Sequence, residues 1–498
     1  MGLGAGLLIS SSSHAQAPWF EAFSSLSTDI IHHPLKIKGS LPPELKGHLF
    51  RAGPVHFEQP NGTRYGHWFD GDGGILDIEL DGQGGASASM RRLNTPGFQA
   101  EQAAGEILYP SYGTPTKHAL VKVLRQQFKN VANTNVISWD NQLLALVESA
   151  PPTQVDPTTL ERIDATDFGG LIQGGFCAHP HRHANGKTLF NVGMELGRKP
   201  RVHIYALGQN GNHRRMHTID SPHCAMLHDF ALTAKHIVLI QPPLHLDFKK
   251  VLEAKGAVSE GLVWDPKRGT QITVIPLSDP KKTRHWTVDP FYQWHIGNAW
   301  ESGADIVIDL VKYSDFSSNQ ALGILIDGKG NHGELNGRLS RLRFNTHSGQ
   351  LSTEFEASHS GEFPQSASSV WSDRNRQIYL AEHSSPAVSR AGLPDTLSRY
   401  DLDSGHRQSI QLSASSYPSE PIVVPKANAH HPEDCWILSV VYDAQAQCST
   451  LAILDSERFS EGPIATAAFD QPIPMTFHGH WHGNESRIGS VDKQHETE

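Results

Sequence analysis

Residues 74–82 read Gly-Ile-Leu-Asp-Ile-Glu-Leu-Asp-Gly, a run of apolar residues interrupted by acidic ones that ends in an Asp-Gly turn signal. Such alternation is typical of a β-strand with one buried face. Comparable pieces recur along the chain. They are residues 46–51, 136–139, 143–148, 236–240, 271–275, 304–309, 377–380 and 435–441. Strands at this spacing predict a large all-β fold of the propeller type, and the absence of a tight sequence repeat leaves the blade count open.

Helical periodicity is scarce in this sequence. Two segments have an amphipathic pattern, residues 116–128 (TKHALVKVLRQQF) and residues 246–255 (LDFKKVLEAK). In a β-rich chain we expect both to lie in long insertions between strands, where binding function is often found.

Composition excludes several classes of protein. The 498 residues carry a net charge of -10 without a Lys/Arg run, which argues against a nucleic-acid partner. The four cysteines, Cys177, Cys224, Cys435 and Cys448, form no C-x-x-C pair, so we expect free thiols rather than disulfides or structural zinc. The sequence has no apolar run long enough for a transmembrane helix.

The N-terminus has two interpretations. Residues 2–9 are apolar, and Ala15-Gln16-Ala17 has the form of a signal-peptidase site, but the positively charged start of a signal peptide is missing. If residues 1–17 are a truncated signal peptide, the protein is exported to the periplasm; if they are a disordered leader, it stays in the cytoplasm. We predict an N-terminal extension at residues 18–34, one propeller domain with cap insertions at 35–485 and a tail at 486–498.

Histidine-bearing segments are the main chemical signal. Pro474-Met475-Thr476-Phe477-His478-Gly479-His480-Trp481-His482 carries three histidines at alternating positions, and neutral imidazole is the commonest metal ligand among side chains. Three further segments, residues 176–183, 226–232 and 294–301, also contain histidine. Residues 179–183 (His-Pro-His-Arg-His) lack the Asp of the HxHxDH motif of zinc hydrolases, so that motif fails.

Ten short motifs follow one another along the chain. They are Arg51-Ala52-Gly53-Pro54, Gly66-His67-Trp68-Phe69-Asp70-Gly71-Asp72-Gly73, Ala132-Asn133-Thr134-Asn135, Leu144-Ala145-Leu146-Val147-Glu148, Ala178-His179-Pro180, Leu227-His228-Asp229-Phe230-Ala231, His295-Ile296-Gly297-Asn298-Ala299-Trp300, Gly361-Glu362-Phe363-Pro364, Ser419-Glu420-Pro421 and Phe477-His478-Gly479. In content and order they resemble the carotenoid cleavage oxygenase family, which includes lignostilbene dioxygenases and retinoid isomerohydrolases. The resemblance covers residues 35–483.

The resemblance implies a seven-bladed β-propeller with a small helical and loop cap over one Fe(II) on its axis. The motif-matched ligands are four histidines, His179, His228, His295 and His478. Such a site keeps up to two coordination positions for O2, water or substrate. His181, His183, His223, His480 and His482 are not at ligand positions, and neither is His67.

The resemblance also implies carboxylates that accept the far ring N–H of three ligands. The matching pairs are Glu148 with His228, Glu362 with His295, and Glu420 with His478, and His179 would lack such a partner. Each carboxylate would fix the tautomer of its histidine and raise its basicity. Asp70 and Asp72 are interpreted as structural residues that hold a turn.

The implied reaction is O2-dependent cleavage of a C=C bond in a conjugated chain to give two carbonyl products, with no obligatory protein acid or base. Val147 stands where lignostilbene-cleaving relatives have a lysine that grips the substrate phenol, which favours an apolar polyene such as a carotenoid or apocarotenoid. The alternative within the family is another aryl-alkene of the stilbene type. A zinc hydrolase and a non-catalytic propeller are the more remote alternatives.

Apolar polyenes partition into membranes, so a nonpolar patch is expected at the mouth of the substrate tunnel. The segments 116–128 and 246–255 could form this patch, or they could simply pack on the propeller as lids. The sequence indicates no obligate protein partner.

Overall fold

Antiparallel strands account for most of the regular structure in the computed structural model, which describes residues 16–125, 127–197, 199–221, 225–328, 335–483 and 488. The strands form seven sheets of four or more strands, together with one two-stranded ladder, Leu244–Leu246 with Leu262–Trp264. The inner strands of several neighbouring sheets contact one another, as in a propeller whose inner strands surround a central axis. The predicted all-β, seven-bladed propeller with few short helices is therefore confirmed.

The blades follow the chain order and are numbered here from the first complete one. From the inner strand outwards, blade 1 contains Asn135–Trp139, Gln142–Leu146, Thr153–Val155 and Arg162–Ala165, and blade 2 contains His181–Arg182, Thr188–Glu195, Arg201–Gly208 and His213–Asp220. Blade 3 contains Ala231–Leu232, His236–Gln241, Thr270–Pro276 and Arg284–Val288, and blade 4 contains Tyr292–Ser302, Asp305–Tyr313, Arg338–Asn345 and Leu351–Glu356. Blade 5 contains Gly361–Gln365, Gln377–Glu382, Thr396–Asp401 and His406–Ile410.

Both ends of the propeller chain contribute to the closure of the ring. Blade 6 contains Ser416–Pro418 and Ile422–Pro425, which both pair with Cys435–Asp443, then Cys448–Asp455, Ala465–Ala468 and the N-terminal strand Lys36–Gly39. Blade 7 contains the C-terminal strand Gly479–Gly483 at its inner edge, then Lys46–His56, Asp72–Asp81, Ala86–Arg92 and Ile30–Pro34. The blades thus begin at residue 30, upstream of the predicted boundary at residue 35.

All nine strand segments predicted from the sequence lie in strands, with ends that differ by a few residues. The core is divided between the blades, because each gap between neighbouring blades holds its own cluster of buried apolar side chains. The cluster between blades 3 and 4, for example, includes Val238, Ile272 and Ile308, each at most 1% exposed. Burial of these inward-facing residues is the main force that holds the ring together.

The helices are short and belong to the cap. They are Pro96–Ala104, Ala119–Leu124, Phe248–Glu253, Ser317–Ile324 and Pro386–Ala391. The 3₁₀ turns are Phe20–Phe23, Trp68–Asp70, Val258–Gly261, Pro266–Arg268, Pro280–Lys282, Leu325–Asp327, Ser368–Val370 and Ser456–Glu461. No helix among these is long and apolar enough to cross a bilayer.

The two predicted helices exist but are shorter than the sequence pattern indicates. Thr116 N–H donates to the carbonyl oxygen of Lys255 (2.8 Å), so residue 116 joins the two segments instead of starting a helix. Lys255 itself has a φ of +52°, which ends the second helix. The helix Pro96–Ala104 was not predicted from the sequence, although Thr95 caps its first turn, Pro96 is its first residue and Gly105 ends it with a φ of +68°.

Three cysteines, Cys177, Cys435 and Cys448, are free thiols, as predicted. Cys224 and His223 lie outside the described residues, and so do residues 1–15 of the predicted leader and all of the predicted tail except residue 488.

Gly47 tests the closure of blade 7. A Cβ at this position would lie 2.3 Å from the carbonyl oxygen of His482 in the C-terminal strand, and φ is +152°. Gly62 also has a positive φ (+82°), but a Cβ added there would meet no other atom within 4 Å, so Gly62→Ala is the matched control. We expect Gly47→Ala to lower the midpoint of thermal unfolding by an amount equivalent to about 1–3 kcal/mol beyond the control. Equal midpoints for the two variants would show that the C-terminal strand can shift away from the added Cβ without loss of stability.

Candidate metal centre

Four histidines meet on the propeller axis. His179, His228, His295 and His478 each present a ring nitrogen, and these four atoms lie within 4.8 Å of one another. Each histidine lies at or just before the inner strand of its blade: blade 2, blade 3, blade 4 and blade 7 respectively. The inner strands are the parts of the blades nearest the axis, so residues separated by as much as 299 positions in sequence become neighbours.

Three of these histidines turn Nδ1 towards a carboxylate from one of the remaining blades. His228 Nδ1 lies 2.5 Å from Glu148 Oε1, His295 Nδ1 lies 2.6 Å from Glu362 Oε2, and His478 Nδ1 lies 2.9 Å from Glu420 Oε1.

These glutamates belong to blades 1, 5 and 6, so every blade supplies one side chain to the histidines or to their partners. His179 pairs with no carboxylate among the described residues.

The hydrogen bonds assign the tautomers and give a test of whether a metal fits. Because Nδ1 of His228 and of His295 faces a carboxylate, it carries the ring proton, and Nε2 of each ring is an unprotonated acceptor. Yet His228 Nε2 lies 3.1 Å from His295 Nε2, and also 3.1 Å from His179 Nε2. Lone pairs that face each other at this distance need a cation between them. The donor set therefore fits one metal ion bound by four imidazoles.

The electrostatic environment suits neutral ligands. Burial lowers the pKa of His179 and His478 well below its usual value, and the neighbouring imidazoles lower it further. Burial alone would do the same to His228, but the Glu148 carboxylate outweighs it and raises that pKa. Burial raises the pKa of Glu420 to about 7, against the opposing effect of the Arg51 cation. His179 and His478 are thus held as neutral imidazoles, the form that binds metal.

The other histidines singled out in the sequence have different partners. His181 Nε2 donates to Asp229 Oδ1 (2.8 Å), and His183 Nε2 donates to the carbonyl oxygen of Ala234 (3.1 Å). His480 Nδ1 donates to the carbonyl oxygen of Val136 (3.0 Å), so its Nε2 accepts from Ser138 and joins blade 7 to blade 1. The ring of His482 lies beside the hydroxyl of the same serine. His67 caps the 3₁₀ turn Trp68–Asp70.

Asp70 and Asp72 do not hold their own turn, in contrast to the expectation from the sequence. Asp70 accepts hydrogen bonds from the backbone N–H of Tyr112 and Gly113 and from the hydroxyl of Thr114, at 2.6–2.8 Å. Asp72 pairs with Lys129 Nζ at 2.6 Å in a buried cluster that also contains Tyr65 and Glu101. Both carboxylates therefore fasten the cap to blade 7, because their partners are distant in sequence.

A cavity of about 480 Å³ lies against three of the four histidines, His228, His295 and His478. This volume is within the range of small-molecule sites, and the walls are mostly apolar, as such sites usually are. Aromatic rings are prominent in them: Trp68, Phe69, Tyr112, Trp294, Phe363 and Phe477. Val147 also lines the cavity, next to Glu148.

Three residues around the histidines were not predicted as participants from the sequence. Tyr313 donates to Glu362 Oε1 (2.7 Å) and so occupies the oxygen that His295 leaves free. Phe363 stacks on His295 with ring centroids 5.2 Å apart and has a φ of +62°, which is rare for an aromatic residue. Arg51 is fully buried beside Glu420. Only the motifs around Arg51 and Phe363 could have pointed to these positions.

A propeller with four converging imidazole nitrogens beside an apolar cavity defines a class, the metal-dependent propeller enzymes with a buried hydrophobic site. The family model described as "Retinal pigment epithelial membrane protein" matches residues 23–483. The chain belongs to this family, the carotenoid cleavage oxygenases, and is an enzyme of oxidative double-bond cleavage. Its four-histidine cluster is consistent with the single metal site typical of the family.

Individual relatives cover nearly the whole chain. Apocarotenoid-15,15'-oxygenase from Synechocystis sp. is 27% identical over 94% of this chain and 97% of its own length. Resveratrol cleavage oxygenase 1 from Aspergillus fumigatus is 26% identical over 92% of this chain and 94% of its own. The crystal structure of cobalt-substituted Synechocystis ACO is 25% identical, has a TM-score of 0.84 and covers 94% of this chain and 98% of its own.

His478 and His482 form a matched pair for testing the site. We expect His478→Ala to abolish stoichiometric metal binding, because it removes one of the four converging nitrogens and the imidazole that Glu420 orients. His482→Ala should leave metal binding intact, since its ring faces Ser138 instead. Elemental analysis of the purified variants measures this directly. Full metal content in His478→Ala would contradict the assignment.

Proposed function

We propose that the protein is an Fe(II)-dependent dioxygenase that cleaves a C=C bond of an apolar conjugated polyene, a carotenoid or apocarotenoid, with O2 to give two carbonyl products. The observation that carries the proposal is the cluster of four imidazole Nε2 atoms beside an apolar, aromatic-walled cavity. We propose His179, His228, His295 and His478 as the metal ligands. When bound, Fe(II) would supply the activation of O2.

The residues of this chain would position and protect the reactants. Glu148, Glu362 and Glu420 fix the ring orientations of their histidines, so the four nitrogens are preorganised for one ion. The apolar walls hold a polyene by burial and exclude water from the reacting bond. No side chain is needed as an obligatory acid or base, because both oxygen atoms of O2 end in the carbonyl products.

Val147 supports the choice of an apolar substrate. Its side chain lines the cavity directly beside Glu148, where a cationic lysine would be able to hold a phenol. An isopropyl group there offers only van der Waals contact. A stilbene-type aryl-alkene is the second candidate, favoured by the resemblance to the resveratrol-cleaving relative and by the isoeugenol monooxygenase of Pseudomonas putida, which is 26% identical over 90% of this chain.

The metal and the reaction can be tested together. Protein purified aerobically and protein purified anaerobically are analysed for metal content and then assayed for O2 uptake with an apocarotenoid. We expect about one iron per chain and O2 consumption that depends on the alkene. Zinc with O2-independent hydrolysis would indicate a hydrolase, and the absence of any metal would indicate a non-catalytic propeller; either result would refute the proposal.

Val147→Lys tests the substrate class. A cation at this position should raise cleavage of hydroxystilbenes by about tenfold or more, because a hydrogen bond to a charged group then holds the phenol. Val147→Met is the control for side-chain size and should give no such gain. Rapid turnover of hydroxystilbenes by the unaltered protein would instead favour the aryl-alkene candidate.

We further propose that the cavity mouth contacts a membrane surface from which a polyene is taken up. The cap helices Ala119–Leu124 and Phe248–Glu253 place Leu120, Val121 and Phe248 at the surface with 60%, 54% and 47% exposure. Val123, on the same helix as Leu120, is buried and lines the cavity. The apolar patch and the cavity wall are therefore two faces of the same cap elements.

Charge substitution of the patch tests membrane contact. We expect Leu120→Glu combined with Val121→Glu to abolish cosedimentation with phospholipid vesicles, because both side chains would otherwise insert into lipid. Ile163→Glu, at another exposed apolar residue (38% exposed) on the outer strand of blade 1, should bind vesicles like the unaltered protein. Undiminished binding of the double variant would exclude this patch as the contact.

A further inference from the structure

Arg51 is one of the largest fully buried side chains of the protein, with 0% exposure. It lies in the second strand of blade 7, paired in register with Gly479 of the C-terminal strand. Burying a guanidinium is costly unless its donors are satisfied, so its contacts indicate what it does.

The guanidinium binds three points around the last histidine. Nε donates to Thr476 Oγ1 at 2.7 Å, and Nη2 donates to the carbonyl oxygen of Phe477 at 2.9 Å. Nη1 donates to the backbone carbonyl oxygen of Glu420 at 3.1 Å. Thr476 and Phe477 directly precede His478, and Glu420 is the carboxylate that accepts from the His478 ring. One side chain thus holds both members of the His478–Glu420 pair.

The contact with Glu420 also has an electrostatic part. Arg51 Nη1 lies 4.0 Å from Glu420 Oε2. When ionised, the three glutamates around the histidines carry three formal negative charges, one more than a divalent cation can balance. Arg51 places a further positive charge beside one of them, Glu420. In a buried site such balance matters because unpaired charge is poorly solvated.

We propose that Arg51 is a positioning residue of the metal centre, which holds His478 in place through Thr476 and Phe477 and places a positive charge beside Glu420. The planar guanidinium group is essential to this role, since a lysine ammonium cannot direct donors to three separate oxygen atoms in one plane. The inference rests on the proposed metal site and adds a residue that does not touch the metal.

The test uses cobalt(II)-loaded protein and two readouts, the visible absorption of the metal and its rate of release to a chelator. Arg51→Lys keeps the positive charge but loses the planar guanidinium and its three directed donors. We expect release about ten- to hundredfold faster than in the unaltered protein, with a changed cobalt spectrum. Arg341 is the matched control, because it is also a buried arginine (5% exposed), and it binds through two nitrogens to Asp309 across the second and third strands of blade 4. Arg341→Lys should lower the thermal midpoint without changing either cobalt readout.

Thr476 provides a second, milder test that decides the matter if Arg51→Lys does not fold. Thr476→Val removes the oxygen that accepts from Arg51 Nε at nearly constant volume, and release should be about fivefold faster. Thr476→Ser keeps the oxygen and should restore the original rate within about twofold.

Unchanged release and spectrum in Arg51→Lys, or in Thr476→Val, would overturn the positioning role. The failure of the proposed function is distinguishable from this result. If the unaltered protein binds no cobalt, the metal site itself is wrong; if it binds cobalt and the variants match it, only the role of Arg51 is wrong.

Discussion

The structure depends on one electrostatic constraint, the meeting of unprotonated imidazole nitrogens on the propeller axis. His228 Nε2 lies 3.1 Å from both His179 Nε2 and His295 Nε2, and the glutamates that face Nδ1 keep the ring protons of His228 and His295 on the far side. Such an arrangement is unfavourable by itself and becomes favourable when a cation is bound. The surrounding fold must therefore hold the rings together, and the rigidity of the ring of blades serves that purpose.

Closure of the ring is what completes the site. The last of the four histidines, His478, directly precedes the inner strand of blade 7, and the N-terminal strand Lys36–Gly39 closes blade 6. Chain ends are usually the least ordered parts of a domain. Here the C-terminal end of the ring is fastened by backbone pairing with Lys46–His56, by His480 bound to blade 1 and by the Arg51 guanidinium. Propeller closure and metal-site assembly are thus one structural event.

Much of the fold and of the histidine cluster could be predicted from the sequence, because local apolar alternation indicates strands and the family motifs contain the four histidines that converge. Three aspects could not. The cap helices are shorter than their periodicity indicates: the first begins at Ala119, and the second ends at Glu253 because Lys255 takes a φ of +52°. Asp70 binds the backbone of residues 112 and 113, a contact that no local turn signal indicates. The role of Arg51 depends on residues more than 360 positions away, and arginine is rarely buried, so only the assembled ring shows it.

We propose that four imidazoles and no carboxylate hold a single ion on the axis. Anomalous diffraction from crystals of Fe(II)-reconstituted protein, measured at the iron absorption edge, tests this proposal most directly. We expect one peak per chain, surrounded by the Nε2 atoms of His179, His228, His295 and His478, with Glu148, Glu362 and Glu420 still bonded to the far ring nitrogens. A peak at another position, or a glutamate oxygen in direct contact with the metal, would contradict it.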